Sequence, residues 1–357
     1  MQDWMIYGAN GYTGELIARE AAARGLRPIL AGRRAAAVTA VAAELGLAHR
    51  IFPADAAALE GVGLLLNCAG PFSATAAPLM QGCLRAHAHY LDITGEIDVL
   101  EYARTLSSAA RAADVVVCPG VGFDVIPTDC IARALAEALP DATHLALGFE
   151  TSAAISPGTA RTCVEGLAGG GRIRRDGRLV RVPMCLRTRR IDFGRGPRTA
   201  MAFPWGDLST AYYTTGIRNI EVFVAVPAAL LWGARLGNLL GPLLSLAPMQ
   251  AALKKRAEAI TGPTAQARAA SSCQVWGEAR NAAGMVRTAR IRTANAYDVT
   301  VHGALAVVQT LLIRATTVVG SLTPSQLCGV GLITGLPGSG PLSVCQEPRN
   351  RSRSRRP

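Results

Sequence analysis

The sequence predicts an α/β fold, with an N-terminal doubly wound parallel sheet of the Rossmann type and a second α+β domain. Short apolar runs alternate with alanine-rich helical runs up to about residue 120. A glycine-rich turn joins the first apolar run to the first helix. With 357 residues, the chain is long enough to bury two cores.

The first half alternates strands and helices. Continuous apolar strands separated by helices indicate a parallel sheet that is covered on both faces. The predicted strands are Trp4–Tyr7, Pro28–Ala31, His49–Pro53, Val62–Asn67, Tyr90–Ile93 and Val115–Cys118. The predicted helices are Glu15–Ala23, Ala35–Leu45, Ala76–Ala86, Ile97–Ala113 and Pro127–Leu139.

After Pro119 the strand-like runs have longer, glycine-rich joins, which predicts a mostly antiparallel sheet. These runs are Leu145–Thr151, Leu179–Val182, Asn219–Val226 and Met285–Thr293. An apolar helix at Tyr297–Ile313 is expected to pack back on the first domain. The predicted units are a Rossmann domain (1–130), an α+β substrate or homodimerisation domain (131–296), a C-terminal helical segment (297–334) and a basic, disordered tail (335–357).

The formal net charge of +12 is concentrated in the tail and between Arg172 and Arg198. No nucleic-acid-binding motif accompanies it, so we expect an anionic small molecule, an acyl thioester or a lipid surface as partner, and no nucleic acid. The nine cysteines have no paired or zinc-like spacing, which predicts no metal site and favours a reducing cytoplasm. The N-terminus begins directly with a strand, which predicts no signal peptide.

The most hydrophobic segment is Val222–Met249. It contains three prolines and Arg235, so a buried or surface-docking segment is favoured over a membrane-interface segment, and a spanning helix is favoured least. Basic residues follow at 254–256. Peripheral membrane contact through 222–256 therefore stays an alternative.

The turn Gly8-Ala-Asn10-Gly11-Tyr12-Thr13-Gly14 lies between the first strand and the first helix, as in dinucleotide-binding domains. Gly8 permits the tight turn, Gly11 allows close approach of a pyrophosphate, and Gly14 allows the helix to pack on the strand. The helix N-terminus offers N–H groups to phosphates, and Thr13 adds a hydroxyl. A glycine turn without a ligand is the less favoured alternative.

The cofactor type depends on the residues after the second strand. NAD enzymes place an acid there, whereas this chain has Arg33 and Arg34, which suit a ribose 2′-phosphate. NADP(H) is therefore the predicted cofactor, and a solvated arginine pair is the alternative. Asp55 is a weaker candidate for contact with the adenine. The turn after the fourth strand is expected to line the nicotinamide ribose with Cys68, Ala69, Gly70 and Pro71.

These motifs, together with Tyr90-Leu-Asp-Ile-Thr-Gly-Glu96 and Gly122-Phe-Asp-Val-Ile-Pro-Thr-Asp129, resemble the saccharopine dehydrogenase-like family, closest to its trans-acting enoyl reductase branch. The resemblance is strong over 1–130, weaker to about 330 and absent in the tail. Asn295-Ala-Tyr297 departs from the family's Pro-Gly-Tyr type turn. The resemblance implies NADPH-dependent reduction of a carbon–carbon double bond in a lipid-like or carrier-bound acyl substrate.

Such a reduction needs a proton donor besides the hydride. Tyr90, Asp92 and Asp124 are weak candidates for this role, and no residue has a firm catalytic assignment. Further polar candidates are open to structural interpretations. Asp92 and Glu96 would bond loop amides, Asp129 would face solvent, and Tyr212 and Tyr213 would pack. The alternative functions are a non-catalytic NADP(H)-binding or lipid-surface protein and, less favoured, an imine-reducing amino-acid dehydrogenase.

Overall fold

The computed structural model describes residues 3–151, 170–183, 185–227, 262–313 and 318–346, with six isolated positions between 228 and 261. A parallel sheet occupies the first part of the chain. Its strands are β1 (Asp3–Tyr7), β2 (Ile29–Gly32), β3 (His49–Ile51), β4 (Val62–Asn67), β5 (His89–Asp92), β6 (Val116–Cys118) and β15 (Gly320–Ser321). They lie in the order β15-β6-β5-β4-β1-β2-β3, which confirms the predicted doubly wound arrangement.

Helices cover both faces of this sheet. They are α1 (Tyr12–Ala23), α2 (Ala35–Leu45), α3 (Phe72–Ala86), α4 (Ile97–Thr105), α5 (Ser107–Ala112) and α6 (Ile126–Ala138). Successive strand residues point to opposite faces, so Leu64 and Leu66 enter one core and Leu65 enters the other. The single helix predicted at 97–113 is wrong in detail, because it divides at Leu106 into α4 and α5.

The second sheet is mostly antiparallel, as predicted; only β7 and β12 pair in parallel within its described strands. These are β7 (Ala142–Thr151), β8 (Gly171–Arg175), β9 (Arg178–Val182), β10 (Thr188–Asp192), β11 (Pro197–Ala202), β12 (Asn219–Ala225), β13 (Ser272–Asn281), β14 (Val286–Ala294) and β16 (Ser343–Gln346). One face packs on α6 so closely that a Cβ on Gly277 would overlap Ile131. The two halves therefore share one interface.

The chain returns to the first sheet after β14. The remaining helices are α7 (Asp207–Thr215), α8 (Ala265–Ala269), α9 (Ala296–Ile313), α10 (Pro324–Cys328) and α11 (Gly331–Thr334). Among the described helices, α9 is long and apolar enough to cross a membrane, but 56% of it is buried. It packs on the first half, where Tyr12 and Tyr297 meet edge to face at 5.2 Å and Phe123 N donates to Thr300 Oγ1 at 3.0 Å.

The prediction of a disordered tail from residue 335 is wrong for residues 335–346. Strand β16 pairs with β14 from Arg287 opposite Gln346 to Arg290 opposite Ser343. An edge strand offers unpaired N–H and C=O groups to any extended segment, whatever its side chains, so composition misled the prediction. Residues 347–357 lie outside the described residues, as does most of 228–261, on which the predicted membrane contact depends.

Candidate cofactor and active site

The three glycines of the turn between β1 and α1 differ in how strongly the fold requires them. Gly8 has φ +80°, and a Cβ there would lie 2.7 Å from Ala69 N, while a Cβ on Gly14 would overlap Gly8 O. Gly11 has an ordinary φ of −83°, and the nearest atom to its Cβ position is 3.3 Å away. The fold therefore requires glycine less strongly at Gly11, which leaves open the space that a pyrophosphate needs.

The N-terminus of α1 offers free donors to such a group. Its first helical hydrogen bond runs from Glu15 N to Gly11 O at 2.8 Å. The preceding N–H groups of residues 12–14 have no helical acceptor, and the N-cap Gly11 has no side chain to supply one. Donors and helix dipole together make this a site for a phosphate.

Arg34 is held beside the glycine turn. With the Asn10 amide oriented so that Oδ1 faces the guanidinium, it accepts hydrogen bonds from Arg34 Nη2 at 2.6 Å and Nε at 3.2 Å. Arg33 and Asp55 both lie close enough to Tyr7 to act on it electrostatically. Burial raises the pKa of Tyr7, the charge of Arg33 opposes this rise, and the charge of Asp55 adds to it. Two exposed guanidiniums therefore lie where a dinucleotide's adenosine ribose is expected, which fits a 2′-phosphate.

The side chain of Tyr12 does not belong to this cradle. Its hydroxyl donates to Pro263 O at 2.5 Å and accepts from Arg268 Nη1 at 3.0 Å. Tyr12 thus ties α1 to the second half, and only its backbone is placed to contact a cofactor. Thr13 lies partly exposed in the first turn of α1, next to the free N–H groups.

The turn after β4 lies directly against the glycine turn, as predicted. Cys68 N donates to Tyr7 O at 2.7 Å, and Ala69 N donates to Asn67 Oδ1 at 2.9 Å. Gly70 and Pro71 complete the turn before α3. The backbone that would line the nicotinamide ribose is therefore fixed by hydrogen bonds to neighbouring strands.

A buried network connects the carboxyl ends of β4, β5 and β6. Tyr90 donates its hydroxyl hydrogen to Asp92 Oδ2 at 2.9 Å and accepts from Asn67 Nδ2 at 3.2 Å. Asp92 Oδ1 accepts from Thr94 N at 3.0 Å and Gly120 N at 2.9 Å. Burial raises the pKa of Asp92 to about 6, and these amides oppose the rise.

Tyr90 and Asp92 therefore act as positioning residues. Both side chains are fully buried, and their polar atoms are used inside the protein. Glu96 has a similar role, because its two carboxylate oxygens accept from Phe72 N at 2.9 Å and Ser73 N at 2.7 Å. The structural interpretation of Asp92 and Glu96 as acceptors for loop amides is confirmed.

Asp124 is different. The residue is partly exposed, and its carboxyl faces the backbone of Gly95, where a Cβ would lie 2.8 Å from Oδ2. Trp205 Nε1, from the second half, donates to the backbone oxygen of Asp124 at 2.9 Å. Within the described part of the chain, no group forms a hydrogen bond with the carboxyl itself. Burial raises the pKa of Asp124 to about 7.

Aromatic rings from both halves pack together next to the backbone of Asp124. Phe123 meets Phe149 with ring centroids 5.4 Å apart, and Trp205 lies 5.1 Å from Phe149 and 5.7 Å from Phe203. Sequence reasoning missed this aromatic cluster (Phe123, Phe149, Phe203 and Trp205). No local spacing signals it, because strand β7 and the segment after β11 bring the rings to β6 from distant positions.

The interpretation that Asp129 faces solvent is wrong. Asp129 is fully buried and accepts from Thr214 Oγ1 at 2.5 Å and Ser325 N at 2.8 Å, because α7 and α10 cover α6. Asp207, which sequence reasoning missed, is also fully buried and accepts from Thr128 Oγ1 at 2.6 Å. Burial raises the pKa of Asp207 well above its ordinary value.

The predicted packing of Tyr212 and Tyr213 is confirmed. Tyr213 donates to Glu101 Oε2 at 2.8 Å, and the Arg174 guanidinium lies 4.4 Å from the centre of the Tyr212 ring. Among the described residues no group of three His, Cys, Asp or Glu side chains has metal-site geometry.

The glycine turn, the Asn10–Arg34 contact and the backbone of 67–71 together form a candidate dinucleotide site. Residues 4–118 match the family described as the saccharopine dehydrogenase NADP binding domain. The N-terminal domain belongs to this family. NADP(H) is the cofactor of this domain, in agreement with the two arginines after β2.

Curated relatives agree over part of the chain. A trans-acting enoyl reductase of Mycobacterium leprae is 31% identical over 143 residues, which are 36% of this chain and 34% of that protein. One from Mycobacterium ulcerans is 32% identical over 141 residues, 35% of this chain and 33% of that protein. The match thus spans about a third of the length of these relatives.

The whole fold has a solved counterpart. Saccharopine dehydrogenase (L-Glu forming) from Saccharomyces cerevisiae superposes with a TM-score of 0.67 over 97% of this chain and 100% of that chain, at 11% identity. This likeness confirms a Rossmann sheet followed by a second mixed sheet.

Proposed function

We propose that this protein uses NADPH to reduce an electron-poor carbon–carbon double bond in a lipid-like or carrier-bound acyl thioester, with Asp124 as the proton donor. The observation that carries the proposal is Asp124, whose carboxyl has no hydrogen-bond partner among the described residues and whose backbone oxygen accepts from Trp205 of the aromatic cluster. The name of the curated relatives, trans-acting enoyl reductase, supports the reaction type.

Bound NADPH supplies a hydride to the carbon β to the thioester carbonyl. The α-carbon must then receive a proton, and a general acid serves best when its pKa lies near the working pH. Asp124, with a pKa raised to about 7, is about half protonated at neutral pH. Its proton passes to the α-carbon, and the carboxylate regains a proton from water because its side chain is partly exposed. The saturated thioester and the oxidised cofactor are the products.

The aromatic cluster supports an apolar substrate. Its rings would pack against a hydrocarbon chain, whereas an amino-acid imine would need fixed charges for its carboxylate. The described contacts of Asp124 are with Gly95 and Trp205, neither of which is charged, and Asp124 also acts electrostatically on the buried Asp207. An amino-acid dehydrogenase is therefore less well supported than an enoyl reductase.

Turnover of a 2-enoyl thioester by the full chain with NADPH tests the proposal directly. We expect NADPH oxidation that depends on the double bond and, in deuterated water, one deuterium at the α-carbon of the product. A saturated thioester of equal length is the control. If NADPH binds but no 2-enoyl thioester is reduced, the non-catalytic alternative is favoured. Oxidation of NADPH by a 2-imino acid would favour the amino-acid dehydrogenase.

A further inference from the structure

Tyr12, the first residue of α1, is held by residues that lie far along the chain. Its hydroxyl donates to Pro263 O at 2.5 Å and accepts from Arg268 Nη1 at 3.0 Å. Its ring meets the Tyr297 ring edge to face, with the centroids 5.2 Å apart. Gly262 packs so closely on the ring that a Cβ there would lie 2.5 Å from Tyr12 Cε2. The position of Tyr12 is therefore fixed from outside the first sheet and its helices.

The backbone of Tyr12 belongs to the phosphate-binding end of α1. Its N–H group is one of the three at residues 12–14 that have no helical acceptor. Because the side chain and this N–H group share one residue, the contacts that hold the ring also fix where the N–H group points. Donors that are already aligned bind a phosphate more tightly than donors that must first be ordered. The contacts of the Tyr12 side chain therefore prepare the site for a pyrophosphate.

Arg268 is itself placed by the turn before α9. Asn295 Nδ2 donates to Arg268 O at 3.0 Å, and Asn295 Oδ1 accepts from Tyr297 N and Asp298 N, each at 3.0 Å. The Asn295 side chain is buried. This turn is the Asn295-Ala-Tyr297 sequence that departs from the family's turn. The departure therefore has a structural consequence, because one buried side chain both begins α9 and anchors Arg268.

The charge of Arg268 lies where a helix tolerates it poorly. Helical side chains lean toward the N-terminus, so the Tyr12 hydroxyl brings the guanidinium toward the N-terminal end of α1. That end carries partial positive charge, and a cation beside it is unfavourable. Asp298 Oδ1 lies 3.4 Å from Arg268 Nε, which is buried and has no hydrogen-bond partner among the described residues. The pyrophosphate of a bound cofactor would compensate both the helix end and the arginine.

We propose that Arg268, Asn295 and Tyr297 complete the cofactor site from outside the NADP binding domain, by holding Tyr12 so that the first turn of α1 binds the pyrophosphate. Arg268 and Tyr12 are positioning residues, because their side chains bond to each other and to Pro263 O. The family match ends at residue 118, so the domain as matched lacks these contacts. The proposal concerns cofactor binding alone and does not depend on which substrate is reduced.

Three ligands separate the pyrophosphate from the 2′-phosphate. NADPH carries both groups, NADH carries only the pyrophosphate, and adenosine 2′-phosphate carries only the 2′-phosphate. The variants are Tyr12→Phe, which removes the hydroxyl and keeps the ring, and Arg268→Gln, which removes the charge. For both variants we expect the Kd for NADPH and for NADH to rise about fivefold, and the Kd for adenosine 2′-phosphate to stay unchanged. Calorimetric titration of the full chain measures all three.

The matched controls are Tyr102→Phe and Arg280→Gln. The Tyr102 hydroxyl accepts from Gln81 Nε2 at 2.9 Å, between α3 and α4, and Arg280 is exposed on β13. Both controls are expected to bind the three ligands as the wild type does. Arg268→Lys, which keeps the charge, is expected to fall between the wild type and Arg268→Gln.

Three results would overturn the proposal. They are unchanged Kd values for NADPH and NADH, an equal rise in the Kd for adenosine 2′-phosphate, which would indicate a general disturbance of the first half, and a rise for NADPH without one for NADH, which would place Arg268 at the 2′-phosphate. Thermal unfolding guards against a folding defect. A lower Tm with unchanged Kd values would assign Tyr12 and Arg268 a purely structural role.

Coupling between two sites is reciprocal, so a bound cofactor must also strengthen the contacts of Tyr12. We expect amide hydrogen exchange in α8 (Ala265–Ala269) to slow when NADPH or NADH binds, and to be unaffected by adenosine 2′-phosphate. In Tyr12→Phe this protection is expected to be weaker. Equal exchange rates with and without NADPH in the wild type would contradict the proposal.

Discussion

The loops after β5 and β6 leave the same edge of the first sheet, and both carry acidic side chains. The carboxyl groups of the two loops differ in their hydrogen bonds. After β5, the carboxylate oxygens of Asp92 and Glu96 accept hydrogen bonds from backbone amides and from the Tyr90 hydroxyl. After β6, Asp124 has no such partner among the described residues. The number of hydrogen-bond donors that contact a carboxylate, rather than its residue type, therefore distinguishes a structural carboxylate from a candidate proton donor.

The pKa values of the two aspartates follow the same difference. Burial raises both, to about 6 for Asp92 and about 7 for Asp124. The amides of Thr94 and Gly120 stabilise the charged form of Asp92 and limit the rise. Asp124 lacks that compensation, so its proton stays available near neutral pH.

The largest expected effect comes from removing the proton of Asp124. Asp124→Asn keeps the shape of the neutral side chain but has no acidic proton, so we expect kcat for a 2-enoyl thioester to fall about 100-fold. NADPH affinity is expected to stay at the wild-type value. Steady-state kinetics together with cofactor titration measure both. A fall in kcat smaller than threefold would contradict the difference between the two aspartates, because Asp124 would then be no better a proton donor than Asp92.

A substitution of Asp92 tests its structural role. Asp92→Ala leaves the amides of Thr94 and Gly120 and the Tyr90 hydroxyl without their acceptor in a buried site. We expect the free energy of unfolding to fall by about 2–3 kcal/mol. Urea denaturation measures this, with Asp124→Ala as the control, for which a loss within about 1 kcal/mol is expected because no hydrogen bond is removed. Equal losses in the two variants would contradict the assignment.

A substitution beside the glycine turn, at the same edge of the sheet, should alter NADPH binding without altering proton transfer. Arg34→Ala removes the guanidinium held by Asn10, and we expect a Kd for NADPH about tenfold higher, or about 1.4 kcal/mol. The Kd for NADH is expected to stay unchanged. Arg85→Ala, at an exposed position near the end of α3, is the control. Equal weakening of NADPH and NADH would argue against contact with the 2′-phosphate.

The smallest expected effect is on stability against pH. A carboxyl with a raised pKa binds a proton more readily in the folded chain than in the unfolded chain. Its contribution to stability is therefore present below the ordinary aspartate pKa of about 4 and is lost as pH rises through about 7 for Asp124. We expect the Tm to fall from pH 5 to pH 8, and Asp124→Asn, which does not titrate, to flatten that fall. An unchanged slope in this variant would show that Asp124 does not hold its proton as inferred.

The strands, helices and cofactor cradle of the first half were predictable because their signals are local. The glycine spacing, the arginines after β2 and the apolar runs each lie within a few residues of what they shape. The division of helix 97–113 at Leu106 and the strand at 343–346 escaped prediction. The first depends on packing around α4 and α5, and the second depends on an open edge of β14 that no nearby residue reveals.

The sequence by itself determined the doubly wound sheet, the NADP(H) cofactor and a short set of candidate acids, because hydrophobic period, glycine placement and charge after a strand act over short range. Only the tertiary structure separates Tyr90 and Asp92, which are buried and hydrogen-bonded, from Asp124. That choice depends on burial and on which distant amides point at each group, and residues as far apart as Asp124 and Trp205 meet only when both sheets have formed.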